Sequence, residues 1–347
     1  MLSSFSDKAI MTKAMSMYGK RITEEQYLEL LHKKSVAEIA AYLRDETGYA
    51  AALSGIQPTA IHRGQVELLL RKERFSRYLR LIHYDNNQKD SYYRYLVMEV
   101  EIEQILQMVQ LLNSGRAGEY IVQYPGFLGH VTSFDLMALA RVRSFDDLIA
   151  VLADTVYGRL LLNCRPRAGQ PISYTRCEVI LSSYFYKHVE DVIDQNFRGK
   201  IRLHLHEIFQ THLELLNIGT IYRIKKYFPQ TPREKVAKCI YPMWKRIPEE
   251  ELNRMLDAVT AEEFLDAVAA SPYSRYVGSD DFTFIEYHTD CINYHMSRRF
   301  LRFATDAPTA FTAYMSLSRI ELSNLTTIIE GVRYGVAPSE IKKMLIL

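Results

Sequence analysis

A group of histidines with a carboxylate among them is the part of this sequence best suited to metal chemistry. His204, His206 and His212 lie close together, and Glu207 lies between them. Two ligands share one face of a helix only when they are about three or four residues apart. These histidines are spaced by two and six residues, and an HExxH motif is absent. We therefore expect surface or partly packed histidines and no metal site.

Acidic side chains that could act as a general acid or base occur in three short clusters. These are Glu101 with Glu103, residues 249–251, and Asp280 with Asp281. None of them can be paired from the sequence with a base or a nucleophile. Glycine-rich phosphate loops of the forms GxxxxGK[S/T] and GxGxxG are absent, as is GxSxG. The sequence thus predicts a protein with no catalytic site and no cofactor.

Charge, cysteine usage and hydropathy restrict the class of protein further. Lys and Arg number 43 and Asp and Glu number 41, whereas nucleic-acid-binding domains carry a marked basic excess. The four cysteines form no CxxC pair, which favours free thiols in a reducing compartment. The most apolar stretch, residues 148–164, is shorter than the roughly 20 residues of a membrane span and contains Asp154 and Arg159. We expect a soluble protein that binds no nucleic acid.

The elements that must position any functional residue are helices. Long stretches with apolar residues at helical spacing, and few Gly and Pro, predict an all-α fold. Three segments follow one plan, namely residues 21–49, 130–157 and 246–273. Each reads as a short helix, a cap, a second short helix, and a hydroxyl residue two positions before a tyrosine. Such a repeat indicates one structural unit used three times.

The second short helix of each copy begins with a capping-box pattern, a hydroxyl residue followed three positions later by an acid. The pairs are Ser35 with Glu38, Ser144 with Asp147, and Thr260 with Glu263. The first short helix has N-cap candidates in Thr23 and Thr132, but the third copy has Pro248 there. The copies close on Tyr49, Tyr157 and Tyr273. Shared caps and terminators predict three equivalent helical pairs.

A long helix follows each pair, and an acid near its start precedes an aromatic residue by eight positions. These acids are Glu67, Glu178 and Glu286. One interpretation is local: they suit the start of a helix, or they close each repeat with a buried hydrogen bond. The other is that they present the same contact to a partner three times.

A second long helix ends each unit. Residues 105–115 resemble residues 325–335 in their apolar positions, whereas residues 213–223 match both less well. From these repeats we divide the chain into three helical modules that together form one domain. The modules are residues 1–117, 118–228 and 229–347.

With these features the chain resembles the C-type socket component of bacterial and archaeal V/A-type ATPases, whose equivalent in the eukaryotic enzyme is designated d. The resemblance spans nearly the whole chain. It rests on the length, on the repeated unit seen in residues 35–49, and on the ending ELSNLTTIIEGVRYGVAPSEIKKMLI at residues 321–346. That ending, with Glu321, Asn324, Leu325 and Gly331, is the part of the chain that looks most like the family. The resemblance implies a funnel of three helical modules related by pseudo-threefold symmetry.

The resemblance also implies a non-catalytic socket in the central stalk of a rotary ATPase. Its broad side would meet the membrane proteolipid ring, and its cavity would hold the tip of the central shaft. It would couple ATP hydrolysis or synthesis to H⁺ or Na⁺ transport, from a cytoplasmic position peripheral to the membrane. In isolation it would be a monomer. The family motif assigns no single residue to an interface. The alternative is another helical-repeat scaffold that binds a different protein.

Overall fold

The computed structural model describes residues 2–55, 57, 61–85, 92–128, 131–167, 169–242, 244–274 and 285–347. Within these residues the chain is helical and has no β-strand, so the all-α prediction is confirmed for them. His130 and the acidic pair Asp280 and Asp281 lie outside the described residues. Among the described helices, none combines the length and the hydrophobicity that crossing a membrane requires.

The described α-helices are numbered in chain order. They are α1 Leu2–Gly19, α2 Glu24–Leu31, α3 Val36–Glu46, α4 Arg63–Ile82, α5 Tyr95–Asn113, α6 Tyr120–Gln123, α7 Phe145–Val151, α8 Val156–Leu161, α9 Tyr174–Asn196, α10 Gly199–Tyr227, α11 Arg233–Ala237, α12 Glu249–Asp257, α13 Ala261–Ala269, α14 Ile285–Phe303, α15 Ala307–Arg333 and α16 Pro338–Lys343.

The hydroxyl residues of the three capping-box patterns stand at the starts of α3, α7 and α13. Each accepts the backbone N–H three residues later, at 3.2 Å for Ser35, 3.1 Å for Ser144 and 3.1 Å for Thr260. Each acid accepts the backbone N–H of the residue before the cap, from Lys34 to Glu38, from Arg143 to Asp147 and from Val259 to Glu263. Asp147 also accepts the N–H of its own N-cap, Ser144. At each helix start, the hydroxyl therefore accepts a backbone N–H inside the helix, and the acid accepts a backbone N–H at or before the cap.

The first short helix of each copy varies more than the sequence predicts. Thr23 caps α2 in a full capping box with Gln26. In the second copy the helix is a 3₁₀ helix, Leu136–Arg141, capped by Asp135, so the expected cap at Thr132 is wrong. The reason is a tertiary contact: the Ser133 N–H donates to Glu101, and the start of the helix moves to the next capping side chain. Pro248 stands before α12 without a side-chain cap bond.

The described chain divides into two compact units that are discontinuous in sequence. The first unit comprises Met1–Ser91, Gly199–Ile208 and Asp281–Leu347. Within it α15 is central and packs against α1, α4, α14 and α16, and also against α2 and α3. Its core contains fully buried Ile39, Leu43, Leu70, Leu325 and Ile328.

The second unit comprises Tyr92–Arg198 and Phe209–Asp280. In this unit α5 and α8 pack against α9, and α12 packs against α13. Apolar residues at helical spacing in and beside α7 and α13 are buried, with Leu148, Leu152 and Phe264 each at 0% exposure. The division into modules 1–117, 118–228 and 229–347 stays a prediction.

Helices α5 and α15 end with the same glycine turn. Gly115 and Gly335 follow them with φ of 69° and 67°, the left-handed region that suits glycine. In each case the next residue donates its N–H back to the carbonyl five residues earlier, from Arg116 to Leu111 and from Val336 to Gly331. Helix α10 is instead followed by Phe228, whose φ is −137°.

Candidate functional site

The three tyrosines that close the sequence repeats have the same kind of partner. Each phenol donates a hydrogen bond to a buried glutamate on a long helix. The bonds are Tyr49 to Glu321 at 2.7 Å, Tyr157 to Glu101 at 2.6 Å, and Tyr273 to Glu214 at 2.6 Å. We call these pairs the first, second and third clamps, in the order of their tyrosines. The first lies in the first unit, and the other two lie in the second unit.

Each clamp glutamate also holds the backbone that enters the helical pair. Glu321 accepts the Ile22 N–H at 3.1 Å, and Glu101 accepts the Ser133 N–H. Glu214 accepts the N–H groups of Lys245 and Arg246, at 2.8 and 2.6 Å. One carboxylate therefore binds the chain before the first short helix and the tyrosine after the second. This arrangement fixes both ends of the pair to one long helix.

The hydroxyl residue two positions before each tyrosine terminates the second short helix. Thr47, Thr155 and Ser271 each donate to a carbonyl in the preceding turn, at 2.5, 2.8 and 2.6 Å. Thr47 and Ser271 also accept the N–H of the tyrosine. Carbonyls at a helix end have no partner within the helix, so these hydroxyls satisfy them and orient the tyrosine.

The first clamp carries an additional ionic network. Arg77 donates to Glu321 at 3.0 Å, and its guanidinium lies 4.6 Å from the Tyr49 ring centroid. Arg77 also donates to Glu73 at 3.2 Å, and Arg80 donates to the same carboxylate at 2.6 Å. A buried carboxylate is costly unless it is paired and hydrogen-bonded, and Glu321 is both.

Protonated phenols are required for the clamps to work, and burial favours that state. Burial raises the pKa of Tyr49, Tyr157 and Tyr273 well above the usual value, and the charge of the adjacent glutamate raises each pKa further. The three hydroxyls therefore remain hydrogen-bond donors throughout the neutral range.

An amide side chain stands three residues after each clamp glutamate. Asn324 forms a two-point contact with the backbone of Ile346, at 2.7 and 3.0 Å. Asn217 forms the same contact with Tyr241, at 3.0 and 2.8 Å. In the second clamp the position is Gln104, which accepts from the Tyr120 hydroxyl at 2.9 Å. Each long helix thus uses one face to hold a second segment of chain.

The clamp glutamates correct the sequence alignment of the second long helices. Glu101, Glu214 and Glu321 precede Gly115, Phe228 and Gly335 by fourteen residues each. Residues 218–228 are therefore the counterpart of 105–115 and 325–335, and the expected match with 213–223 is wrong by five residues. The pattern Glu-x-x-Asn/Gln is visible in the sequence and gives the correct register. Apolar positions alone do not give it, because they recur along any amphipathic helix.

The other repeated acids occupy three different surroundings. Glu67 accepts from Arg63 at 2.8 Å near the start of α4. Glu178 is half-buried on α9, where burial raises its pKa and Arg223 lowers it less strongly. Glu286 is exposed in the first turn of α14. Their equivalence, and a shared role in binding a partner, stay predictions.

The chemistry of the clamps is that of structural hydrogen bonds within the protein. Their carboxylates are nearly inaccessible, with exposures of 2% for Glu101, 1% for Glu214 and 8% for Glu321. In the described part of the chain, no three His, Cys, Asp or Glu side chains converge on a possible metal position. His204 packs against Phe300 with ring centroids 5.2 Å apart, and His212 lies 6.4 Å from Tyr186. The buried acids therefore bind protein groups.

Comparison with known proteins gives a consistent result. The family model described as ATP synthase (C/AC39) subunit matches residues 10–344. The C component of the A-type ATP synthase of Methanosphaera stadtmanae is 22% identical over 342 residues, which cover 94% of this chain and 84% of that protein. The protein of the same name from Thermococcus kodakarensis is 24% identical over 226 residues, 60% of this chain and 54% of that protein.

Proposed function

From the premise that the chain belongs to the ATP synthase (C/AC39) subunit family, a component of rotary ATPases, we propose that it is the socket of the central stalk. In this role it joins the central shaft to the membrane proteolipid ring. Shaft rotation and ring rotation are then coupled, and ATP hydrolysis or synthesis elsewhere in the complex drives or uses the transport of H⁺ or Na⁺.

The threefold use of one clamp is the observation that best supports this role. A coupling piece does no chemistry, but it must transmit torque without deforming. In each clamp one buried carboxylate fixes a helical pair to a long helix by at least two hydrogen bonds. Such bonds lie in a low-dielectric interior, where breaking them leaves a buried charge unpaired. The pairs therefore resist displacement along the long helices.

The three modules and the funnel belong to the same proposal. Three clamps of one design support three structurally equivalent modules, each of which contains one helical pair. A pseudo-threefold funnel formed from them would offer a cavity for the shaft and a broad rim for the ring. The protein would then sit on the cytoplasmic side, held to the membrane through the complex. It would not catalyse a reaction by itself.

Affinity purification from the native cell tests the proposal. The tagged chain is isolated from detergent-solubilised membranes, and the proteins that accompany it are identified by mass spectrometry. We expect the shaft subunits and the proteolipid in constant ratio to the chain. Recovery with an unrelated protein, or only from soluble fractions without ATPase subunits, contradicts the socket and favours a different helical scaffold.

A further inference from the structure

An open pocket of about 430 Å³ lies beside the C-terminal ends of α1 and α14 in the first unit. Four guanidinium groups line it, those of Arg21, Arg298, Arg299 and Arg302. Among the described residues, no carboxylate belongs to its lining. Four cations around one opening repel each other, so this arrangement is unfavourable without an anion nearby.

Other groups of the protein compensate the positive charge of these four arginines only in part. Arg299 pairs with Glu207 at 2.7 Å. Within the described part of the chain, Arg21, Arg298 and Arg302 have no carboxylate within ion-pair distance. Their guanidiniums lie against aromatic rings, 4.4, 5.2 and 5.6 Å from the ring centroids. The two helix C-termini contribute about half a negative charge each, which leaves roughly two positive charges uncompensated.

Apolar side chains stand among these cations. Phe303 is 70% exposed in the lining, which also includes Met15 and the buried Leu301. Arginine together with an exposed aromatic residue is the composition of energetically dominant positions in protein–protein interfaces. An occupant that offers both a negative charge and an apolar group matches this lining.

Arginine forks bind both carboxylates and phosphates through paired N–H groups. The helices end at the pocket with their carbonyl groups, so the pocket lacks the helix N-terminal N–H groups that phosphate sites commonly use. The apolar side chains in the lining favour a peptide segment, which offers a carboxylate and an apolar side chain together. We propose that the pocket docks an Asp- or Glu-bearing segment, with an adjacent apolar side chain, from another subunit of the complex. The existence of that subunit rests on the proposed function.

Charge reversal at the pocket tests this inference in the assembled complex. Arg298→Glu with Arg302→Glu reverses two exposed cations. Lys342→Glu with Lys343→Glu on α16 is the matched control, because it reverses two exposed cations of the same unit outside the pocket. Each tagged variant replaces the native chain, and quantitative mass spectrometry measures the ATPase subunits recovered per chain. Circular dichroism and thermal melting establish that all variants fold.

We expect the control to recover ATPase subunits at the wild-type ratio and the pocket variant to recover about tenfold fewer. Salt should weaken the wild-type association, because the screening length of electrostatic interactions shortens to about 3 Å at 1 M salt. Equal recovery by the pocket variant and the control overturns the pocket inference and leaves the socket intact. A wild-type chain that recovers no ATPase subunits contradicts the socket itself.

A photo-crosslinker identifies the chemistry of the occupant. Phe303 is replaced by p-benzoylphenylalanine in the tagged chain, and the assembled complex is irradiated. A crosslinked peptide from an ATPase subunit with Asp or Glu next to the modified residue supports the proposal. A crosslinked peptide without acidic residues, a crosslink to phospholipid, or no crosslink at all overturns it.

Discussion

At the scale of single residues, each clamp depends on one phenol and one carboxylate that are nearly inaccessible to water. The sequence repeat singles out Tyr49, Tyr157 and Tyr273, but it does not identify their partners. The partner of Tyr49 lies 272 residues away, and those of Tyr157 and Tyr273 lie 56 and 59 residues before them. Periodicity within a segment carries no information about such distant pairs. A long-range partner becomes evident only once the chain is folded.

Removing one clamp hydroxyl should destabilise the unit that contains it. Tyr49→Phe, Tyr157→Phe and Tyr273→Phe each remove one of the hydrogen bonds that a buried carboxylate accepts, at a cost of about 1–3 kcal/mol. Tyr334→Phe is the control, because that side chain is 69% exposed. Urea unfolding followed by circular dichroism measures the change. If the three variants unfold like the control, the hydrogen bonds do not hold the helical pairs.

The clamp tyrosines also predict a dependence of stability on alkaline pH. Their pKa is raised in the folded chain, so the folded state binds these protons more tightly than the unfolded state, where tyrosine titrates near about pH 10. Their contribution is complete below that pH and is lost as the pH rises above it, by about 1.4 kcal/mol per pH unit for each tyrosine. Urea midpoints measured across this range should fall more gently in each Tyr→Phe variant. An identical slope in wild type and variants contradicts the buried, protonated phenol.

At the scale of helices, the local sequence predicts where a helix begins when a side chain caps its N-terminus. Ser35, Ser144 and Thr260 cap α3, α7 and α13 at the predicted residues, because a cap needs only neighbours in sequence. The predicted start after Thr132 is wrong, because a hydrogen bond from Ser133 to the distant Glu101 occupies that stretch of backbone. Tertiary contacts therefore decide helix boundaries where they compete with a cap.

The caps yield a prediction for each copy of the repeat. Ser35→Ala, Ser144→Ala and Thr260→Ala should each cost about 0.5–2 kcal/mol, because one backbone N–H loses its acceptor. The measurement is chemical unfolding of the three variants under one set of conditions. Similar losses support equivalent helical pairs. Ser54→Ala, away from any helix start, serves as the reference substitution.

A contrast between two glycines tests the packing of α16 against α15. A Cβ at Gly331 would lie 2.5 Å from Ile341 Cδ1, so Gly331→Ala should cost about 1–3 kcal/mol by overpacking. A Cβ at Gly64 on α4 meets nothing within 4 Å, and Gly64→Ala should stabilise by about 0.5–1 kcal/mol. Thermal melting should therefore shift in opposite directions. A Gly331→Ala variant as stable as wild type would show that α16 does not pack closely there.

At the scale of the whole molecule, composition and periodicity are sufficient to predict the helical class, and the repeat is sufficient to locate three helical pairs. The two compact units do not follow from the sequence, because each joins segments far apart along the chain, such as Met1–Ser91 and Asp281–Leu347. The first clamp joins two such segments, since Glu321 holds both Ile22 and Tyr49. The sequence repeat does not reveal that α15, the last long helix of the chain, holds the first helical pair, α2 and α3.

The coupling role is tested most directly by ATP-driven ion transport in membrane vesicles that lack this chain. Vesicles from a deletion strain are compared with the same vesicles after addition of the purified protein, and ATP hydrolysis and ion uptake are recorded together. We predict no ATP-driven uptake without the chain, and restoration of uptake in proportion to the chain that binds. Ion uptake at the wild-type rate per ATP hydrolysed in its absence would contradict the socket.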